Sequence, residues 1–351
     1  MPGIIDQPHT ITGEDSKGSQ PASQPAAIEF RNILMATDFS KCSDRALRYA
    51  IGIAHRYGAT LHLFHWVDPV AYKFVGTDSI EAARDCAWRE VQQLDTDLIV
   101  KGLLRNIQDK VLVEYGELSE ILPRVVTARA VDLIVIGTHG RTGWKKLILG
   151  SVAERIFRQA SCPVLTVGPN VTRSRVKDDG PHDILFPTDF SPQSEAAGHY
   201  AFSLAKKYGS HLTLLHVLEH ASEKILDERD RLLLAKTSLR ELAKVDEAAM
   251  DKTDCLVKSG TPADSILKTA TQKKADLIVL GVRARQGLSD RWRWPNAYCI
   301  VCESSCPVLS VRISEPGLTQ GSRIGQDEKG QVKAMPPTNA QPGKIDCGQE
   351  S

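Results

Sequence analysis

The chain has 351 residues, of which 42% are hydrophobic and 25% charged, with a formal net charge of +1. That length suits two domains of about 140 residues, each with a sizeable core, and the near-neutral balance provides no overall field to gather DNA, acidic substrates or a membrane surface. No apolar run approaches the roughly 20 residues that span a bilayer, and the start MPGIIDQPHTITGEDSKG lacks the basic and apolar regions of a signal peptide; eight irregularly spaced cysteines suit free thiols in a reducing compartment, so the cytoplasm is the expected location.

Residues 1–28 are polar and rich in Pro, Gly, Ser and Gln, and residues 314–351 are similar, so both are expected to be disordered tails. Between them the pattern predicts a strand at Ile33–Ala36 and a helix at Cys42–Tyr57 that stops at Gly58. A strand follows at Leu61–Trp66, then one long helix or two over Ser79–Leu104, and a strand at Val111–Glu114. A helix at Leu118–Arg129, a strand at Leu133–Ile136, a helix at Ser151–Gln159 and a strand at Val164–Val167 complete a βαβαβαβαβ series. Continuous Val/Ile/Leu strands alternating with amphipathic helices indicate a parallel sheet covered on both faces.

The series then repeats. ILMATDFSKCSDRALRYAIGIAHRYGATLHLFH at 33–65 and ILFPTDFSPQSEAAGHYAFSLAKKYGSHLTLLH at 184–216 agree at 16 of 33 positions without a gap. VDLIVIG ending at Gly137 matches ADLIVLG ending at Gly281, and SCPVLTV at 161–167 matches SCPVLSV at 305–311. The chain is therefore one domain written twice: 29–168, a linker at 169–182, and 183–313. Equivalent residues are 151 apart as far as His65 and 144 apart from Gly116, which places a seven-residue indel at the long helix and its loops. The second long helix is expected over about Glu223–Met250, with Leu226 and Leu233 in its buried stripe.

In open α/β sheets ligands collect at the carboxyl ends of the strands, where strand order reverses. Two segments reach such an end: Thr37-Asp38-Phe39-Ser40, and the loop from Gly137 to Ser151. Glycines let the backbone approach an anion, and the helix start at Gly150-Ser151-Val152 offers unpaired N–H groups. Arg141, Lys145 and Lys146 add positive charge. The loop is neither a Walker motif nor a dinucleotide fingerprint. The residues leave two readings of each segment open. Ser151 and Glu154 also form an S-x-x-E capping box, and Asp38–Ser43 also suits helix capping, whereas Asp38 on a ligand would accept from a ribose or adenine.

ILMATDFS, VDLIVIG, the loop G-x2-G-x9-G-S (Gly137-Thr138-His139-Gly140, nine residues, Gly150-Ser151) and SCPVLTV together resemble the universal stress protein family, in a tandem arrangement. The resemblance implies an α/β, Rossmann-like fold of the adenine nucleotide alpha hydrolase-like type: two tandem open parallel five-stranded sheets of order 3-2-1-4-5 flanked by helices. It implies ATP, with or without Mg2+, as the ligand of the first copy. Ala36, Thr37 and Asp38 would lie by base and ribose, and Val67 against adenine. Gly137, Thr138, His139, Gly140 and Arg141 would line the phosphate channel, and Gly150, Ser151 and Val152 would hold the outer phosphates. The second copy keeps Pro187, Asp189 and Val217 in matching places but has Ala284, Trp294 and Pro295 where the first has Gly140, Gly150 and Ser151. Trp294 would obstruct the approach of a phosphate and Pro295 lacks an N–H, so this copy is expected to lack ATP binding or to take only the nucleoside end. Arg283, Arg285, Arg291 and Arg293 there are read as a solvated loop.

Three function classes remain at this level: a nucleotide-holding stress-response module, a slow ATPase or adenylate-transferring enzyme at the same site, and an interaction protein that binds no nucleotide. No catalytic residue is assigned, because no carboxylate stands near the loop to position water or a metal. Cys299, Cys302 and Cys306 read as core thiols in the absence of a fourth ligand, and the equivalent His65 and His216 as packing residues. Sparse aromatics give nucleic-acid binding no support. The two last strands, Val164–Val167 and Val308–Val311, would each leave an apolar sheet edge, so an internal pseudo-dimer through those edges, or a homodimer, is expected.

Overall fold

The structure, a computed structural model, describes residues 27–68, 77–138, 149–172, 180–219, 227–244, 251–283 and 295–312. The first half runs β1 (Asn32–Ala36), α1 (Lys41–Tyr57), β2 (Thr60–Val67), α2 (Thr77–Val100), β3 (Asp109–Tyr115), α3 (Leu118–Ala128), β4 (Leu133–Gly137), α4 (Ser151–Gln159) and β5 (Val164–Val167). The second runs β6 (Asp183–Pro187), α5 (Pro192–Tyr208), β7 (His211–Leu218), α6 (Glu228–Ala243), β8 (Thr253–Ser259), α7 (Pro262–Gln272), β9 (Leu277–Gly281), α8 (Pro295–Glu303) and β10 (Val308–Val311).

The two expected sheets are one. Its strand order is β3-β2-β1-β4-β5-β10-β9-β6-β7-β8, parallel within each half and antiparallel only where β5 meets β10. Each half keeps the order 3-2-1-4-5. VLTV and VLSV are buried along their whole length, so an unpaired edge there would leave apolar side chains and ladder groups in water. The outer edges are different: β3 carries Asp109, Lys110 and Glu114, and β8 carries Asp254 and Lys258, all at least partly exposed. Leu165 pairs directly with its own equivalent Leu309, flanked by Thr166 with Val308 and Val164 with Ser310, so a pseudo-twofold axis passes through the leucine pair.

Local sequence explains the helices nearest this axis. Ser40 caps α1 by accepting from the Ser43 N–H at 3.2 Å, and Gly58 ends it at φ +64. Ser191 and Gly209 repeat both devices on α5. The inward faces are rich in alanine, Ala46, Ala50 and Ala54 on α1 and Ala197, Ala201 and Ala205 on α5, which lets both helices lie close to the sheet. Across the axis Arg56 stacks over Tyr208 at 5.4 Å and Lys207 over Tyr57 at 4.7 Å, a reciprocal cation–π exchange. The core is two continuous layers: α1, α2, α5 and α6 cover one face, and α3, α4, α7 and α8 the other.

Two details differ from the sequence reading. The first long helix ends at Val100 rather than Leu104, and Gly102 at φ +68 redirects the chain. Within the second, Leu233 is 64% exposed, and the inward residues are Ala235, Leu239 and Ala243 at i, i+4 spacing, a face that leaves Leu233 outside. Leu226 lies outside the described residues.

Candidate functional site

β1 and β4 are neighbours at the centre of the first half, with Ala36 opposite Ile136, and the two candidate segments leave their carboxyl ends side by side. Gly137 is where they touch. A methyl group on it would lie 2.6 Å from both the Cys42 carbonyl carbon and the Ser43 nitrogen, so only glycine lets the end of β4 reach the first turn of α1. Gly281 stands equally close to Gln193 and Ser194 in the second half.

The turn after β1 is built from its own side chains. The buried Thr37 hydroxyl accepts from the Phe39 N–H at 3.1 Å, and Asp38 accepts from the Ser40 N–H at 3.0 Å. Together they hold Phe39 at φ +60, a conformation a bulky residue adopts only when its surroundings impose it. The helix cap is therefore Ser40, and Asp38 shapes the turn before it with its carboxylate half-buried at the strand end. His65 Nδ1 donates to the Thr37 carbonyl at 2.8 Å, which fixes its tautomer, and its ring lies 5.0 Å from that of Phe39. Ala36 is half-buried, and Val67 is buried at the end of β2 opposite Tyr115.

In the second half the same turn recurs, with Phe190 at φ +59 and His216 bonded to Thr188. The hydroxyls of Ser191 and Ser194 both donate to Asp189 at 2.5 Å; burial opposes its charge, but these bonds prevail and hold its carboxyl below the usual range. In both halves the two hydroxyls also lie 3.4 Å from each other, and in the first half the Ser43 hydroxyl donates to the Ser40 carbonyl at 2.9 Å.

The other wall is the start of α4. Thr138, fully buried, extends the strand by donating its N–H to Val167. Sequence reasoning assigns Gly150 a ligand-facing N–H, but that N–H donates to the Thr138 carbonyl at 2.8 Å, because the chain returns to the strand end it left. The capping-box reading is also corrected. Gly150 is the cap, without a side chain to return a hydrogen bond, Ser151 is the first helical residue, and Glu154 pairs with Arg158 at 2.8 Å. The first intrahelical bond runs from the Glu154 N–H to the Gly150 carbonyl. The N–H groups of Ser151, Val152 and Ala153 consequently have no acceptor within the helix, and they carry its positive dipole end. Ser151 is exposed and Val152 half-buried. His139, Gly140 and Arg141 lie outside the described residues, as do Ala284 and Trp294. In the second half the corresponding helix opens on Pro295, which has no N–H to offer.

The cysteines play no visible part here. Burial pushes the Cys302 and Cys162 thiols up to about 12 and Cys299 up to about 11, keeping them neutral, and Cys302 and Cys306 are core residues. A separate apolar cavity lies at the amino ends of the strands, across the sheet from this site, between Tyr49, Leu165, Tyr208 and Leu309. Sequence reasoning missed two residues that touch α4 from the other half, Tyr298 and Arg312. The signal was present in the alignment of the copies, where they replace Glu154 and Gly168.

The family model described as the universal stress protein family matches residues 29–168 and 181–312. A universal stress protein of Mycolicibacterium smegmatis is 26% identical over 307 residues, spanning 82% of this chain and 98% of its own length. One from Methanocaldococcus jannaschii is 30% identical over 151 residues, or 39% of this chain and 82% of its own. Among solved structures, a universal stress protein from Archaeoglobus fulgidus superposes with a TM-score of 0.63 at 19% identity, covering 82% of this chain and 98% of that one. A functionally unknown protein of Pseudomonas aeruginosa gives 0.54 at 18%, covering 81% and 92%; both likenesses concern the fold.

Proposed function

The chain belongs to the universal stress protein family, and from that premise we propose that its first half binds ATP as a ligand, in a stress-response role, while the second half does not. The observation that carries this reading is the start of α4. Three first-turn N–H groups are left without an intrahelical acceptor beside a cap that has no side chain, at the point where strand order reverses between β1 and β4. A polyphosphate suits those donors, through Ser151, Val152 and Ala153 rather than Gly150, with the Ser151 hydroxyl beside them. Gly150 serves by leaving the approach bare. Across the site, Asp38 suits the hydroxyl donors of a ribose and Val67 an apolar ring face. His139, Gly140 and Arg141 belong to the same reading through the family motif. Of the described helices, none is long and apolar enough to cross a membrane, and the proposed place of action is the cytoplasm.

The test is thermal melting of the intact protein with and without millimolar ATP. A ligand bound only to the folded state stabilises it by RT ln(1 + [L]/Kd), about 2.7 kcal/mol at a hundredfold excess over Kd. Gly140→Val is expected to abolish the shift and Ala284→Val to leave it unchanged. No shift in the wild type would overturn the reading, and equal loss in both variants would show that the second half is also competent.

A further inference from the structure

α4, the helix whose start forms the candidate site, is held at both ends by the other half of the chain. At its entrance the Leu149 N–H donates to the Tyr298 hydroxyl of α8 at 2.9 Å. Leu149 is buried and immediately precedes the Gly150 cap, so this bond sets the direction in which the chain enters the helix. At its exit the Arg312 guanidinium, just past β10, donates to the carbonyls of Arg158 at 2.8 Å, Ala160 at 3.3 Å and Phe157, and lies over the Phe157 ring. Those are the last carbonyls of α4, where a cation satisfies orphan acceptors and complements the helix dipole.

Among the described residues this grip is one-sided about the pseudo-twofold axis. The equivalent of Tyr298 is Glu154, which is spent on Arg158 of its own helix. The equivalent of Arg312 is Gly168. It occupies the corresponding place against α8, where a methyl group would stand 3.6 Å from the Val301 carbonyl oxygen and 3.7 Å from that of Ser304, but it has no side chain to donate. Asn170 reaches the Glu303 carbonyl at 3.1 Å, a single bond where Arg312 makes three. Nothing in fold or symmetry requires this asymmetry: the half whose own loop departs from the motif supplies the contacts that aim the loop helix of the other.

We propose that the second half is a positioning module for the anion site of the first, with Tyr298 and Arg312 as its positioning residues. Tyr298 sets the entry angle of α4, Arg312 seats its far end, and together they hold the Ser151–Ala153 N–H groups in a fixed direction. This deepens the ATP reading above and rests on it. Binding at the helix start and the packing of α8 are then coupled, and the coupling acts in both directions.

The experiment measures ATP and adenosine affinities, by calorimetry and competition, for the intact wild type, Tyr298→Phe and Arg312→Met. Tyr298→Phe keeps the ring and removes one acceptor; Arg312→Met keeps the stem and removes the cation. Losing one directing hydrogen bond is expected to weaken ATP roughly three- to tenfold. Adenosine, which does not reach α4, should bind unchanged, so the ATP-to-adenosine ratio falls by the same factor. In the wild type ATP should also slow amide exchange in α8, and in Tyr298→Phe it should not. Equal ATP affinity in all three proteins would overturn this inference and leave the nucleotide reading standing. A loss shared equally by ATP and adenosine would reduce both residues to general stabilisers and overturn it too. Failure of the wild type to bind ATP would remove the nucleotide reading and this inference together.

Discussion

Gly137→Ala tests how the two walls of the site are joined. The added methyl would lie 2.6 Å from the Cys42 carbonyl carbon and the Ser43 nitrogen, and 3.0 Å from the Cys42 Cβ. Ordinary carbon contacts are about 3.5–4.0 Å, so the overlap is about 1 Å, and it is with backbone that no rotamer can move aside. The first turn of α1 must lift from the sheet. Overpacking of this kind costs about 1–3 kcal/mol. The Ser43 N–H that the methyl strikes is the one that the Ser40 cap accepts, and a lost cap adds about 1 kcal/mol. The expected total is about 2–4 kcal/mol, read by calorimetry as a fall in melting temperature of about 4–8 °C. Gly52→Ala is the control. Gly52 lies within α1 with nothing within 4 Å of the added methyl, and replacing a helical glycine by alanine there should stabilise by about 0.5–1 kcal/mol. Gly281→Ala should repeat the Gly137 result, since its methyl would meet the Gln193 carbonyl oxygen at 2.4 Å. A Gly137→Ala protein that melts with the wild type would refute the close approach of β4 to α1, and with it the geometry of the site.

Two acid–base predictions have opposite signs. His62 is buried, and burial first, then Lys110 and Arg129, lowers it from 6.5 to about 4. The unfolded chain therefore binds the extra proton between those values, and stability falls as pH drops from about 6.5 towards 4, by up to about 3 kcal/mol. His62→Thr installs the residue of the second copy, Thr213, and should remove that component; an unchanged difference between pH 7 and pH 4.5 would refute it. Asp95 is raised to about 6, by burial first and then by its hydrogen bond and charge interaction with Asp109. Its folded form favours the proton, so its stabilising share is present below about pH 4 and is lost as pH rises through 6. Asp95→Asn should raise the melting temperature at pH 7.5 by about 1–2 °C, small because the group is half-exposed and screened, and the gain should vanish at pH 4; a gain equal at both values would place its origin elsewhere.

Much of this architecture is a local property of the chain. Val/Ile/Leu runs, the alanine stripes of α1 and α5, the Ser40 and Gly58 caps and the repeated TDFS turn are set by residues a few positions apart, and each is written twice, so the fold and the two walls of the site could be read without coordinates. The motif also placed Gly137, but its reason, a backbone contact with Cys42 and Ser43, belongs to three dimensions. The cap at Gly150, the diversion of its N–H to Thr138 and the exposure of Leu233 depend on where the chain returns, which side-chain periodicity does not encode. The pairing of the two apolar edges was legible in VLTV and VLSV, but the register that sets Leu165 opposite Leu309 and the hold of Tyr298 and Arg312 on α4 were not. These join residues about 150 positions apart through one edge pairing, and a contact made once leaves no period behind.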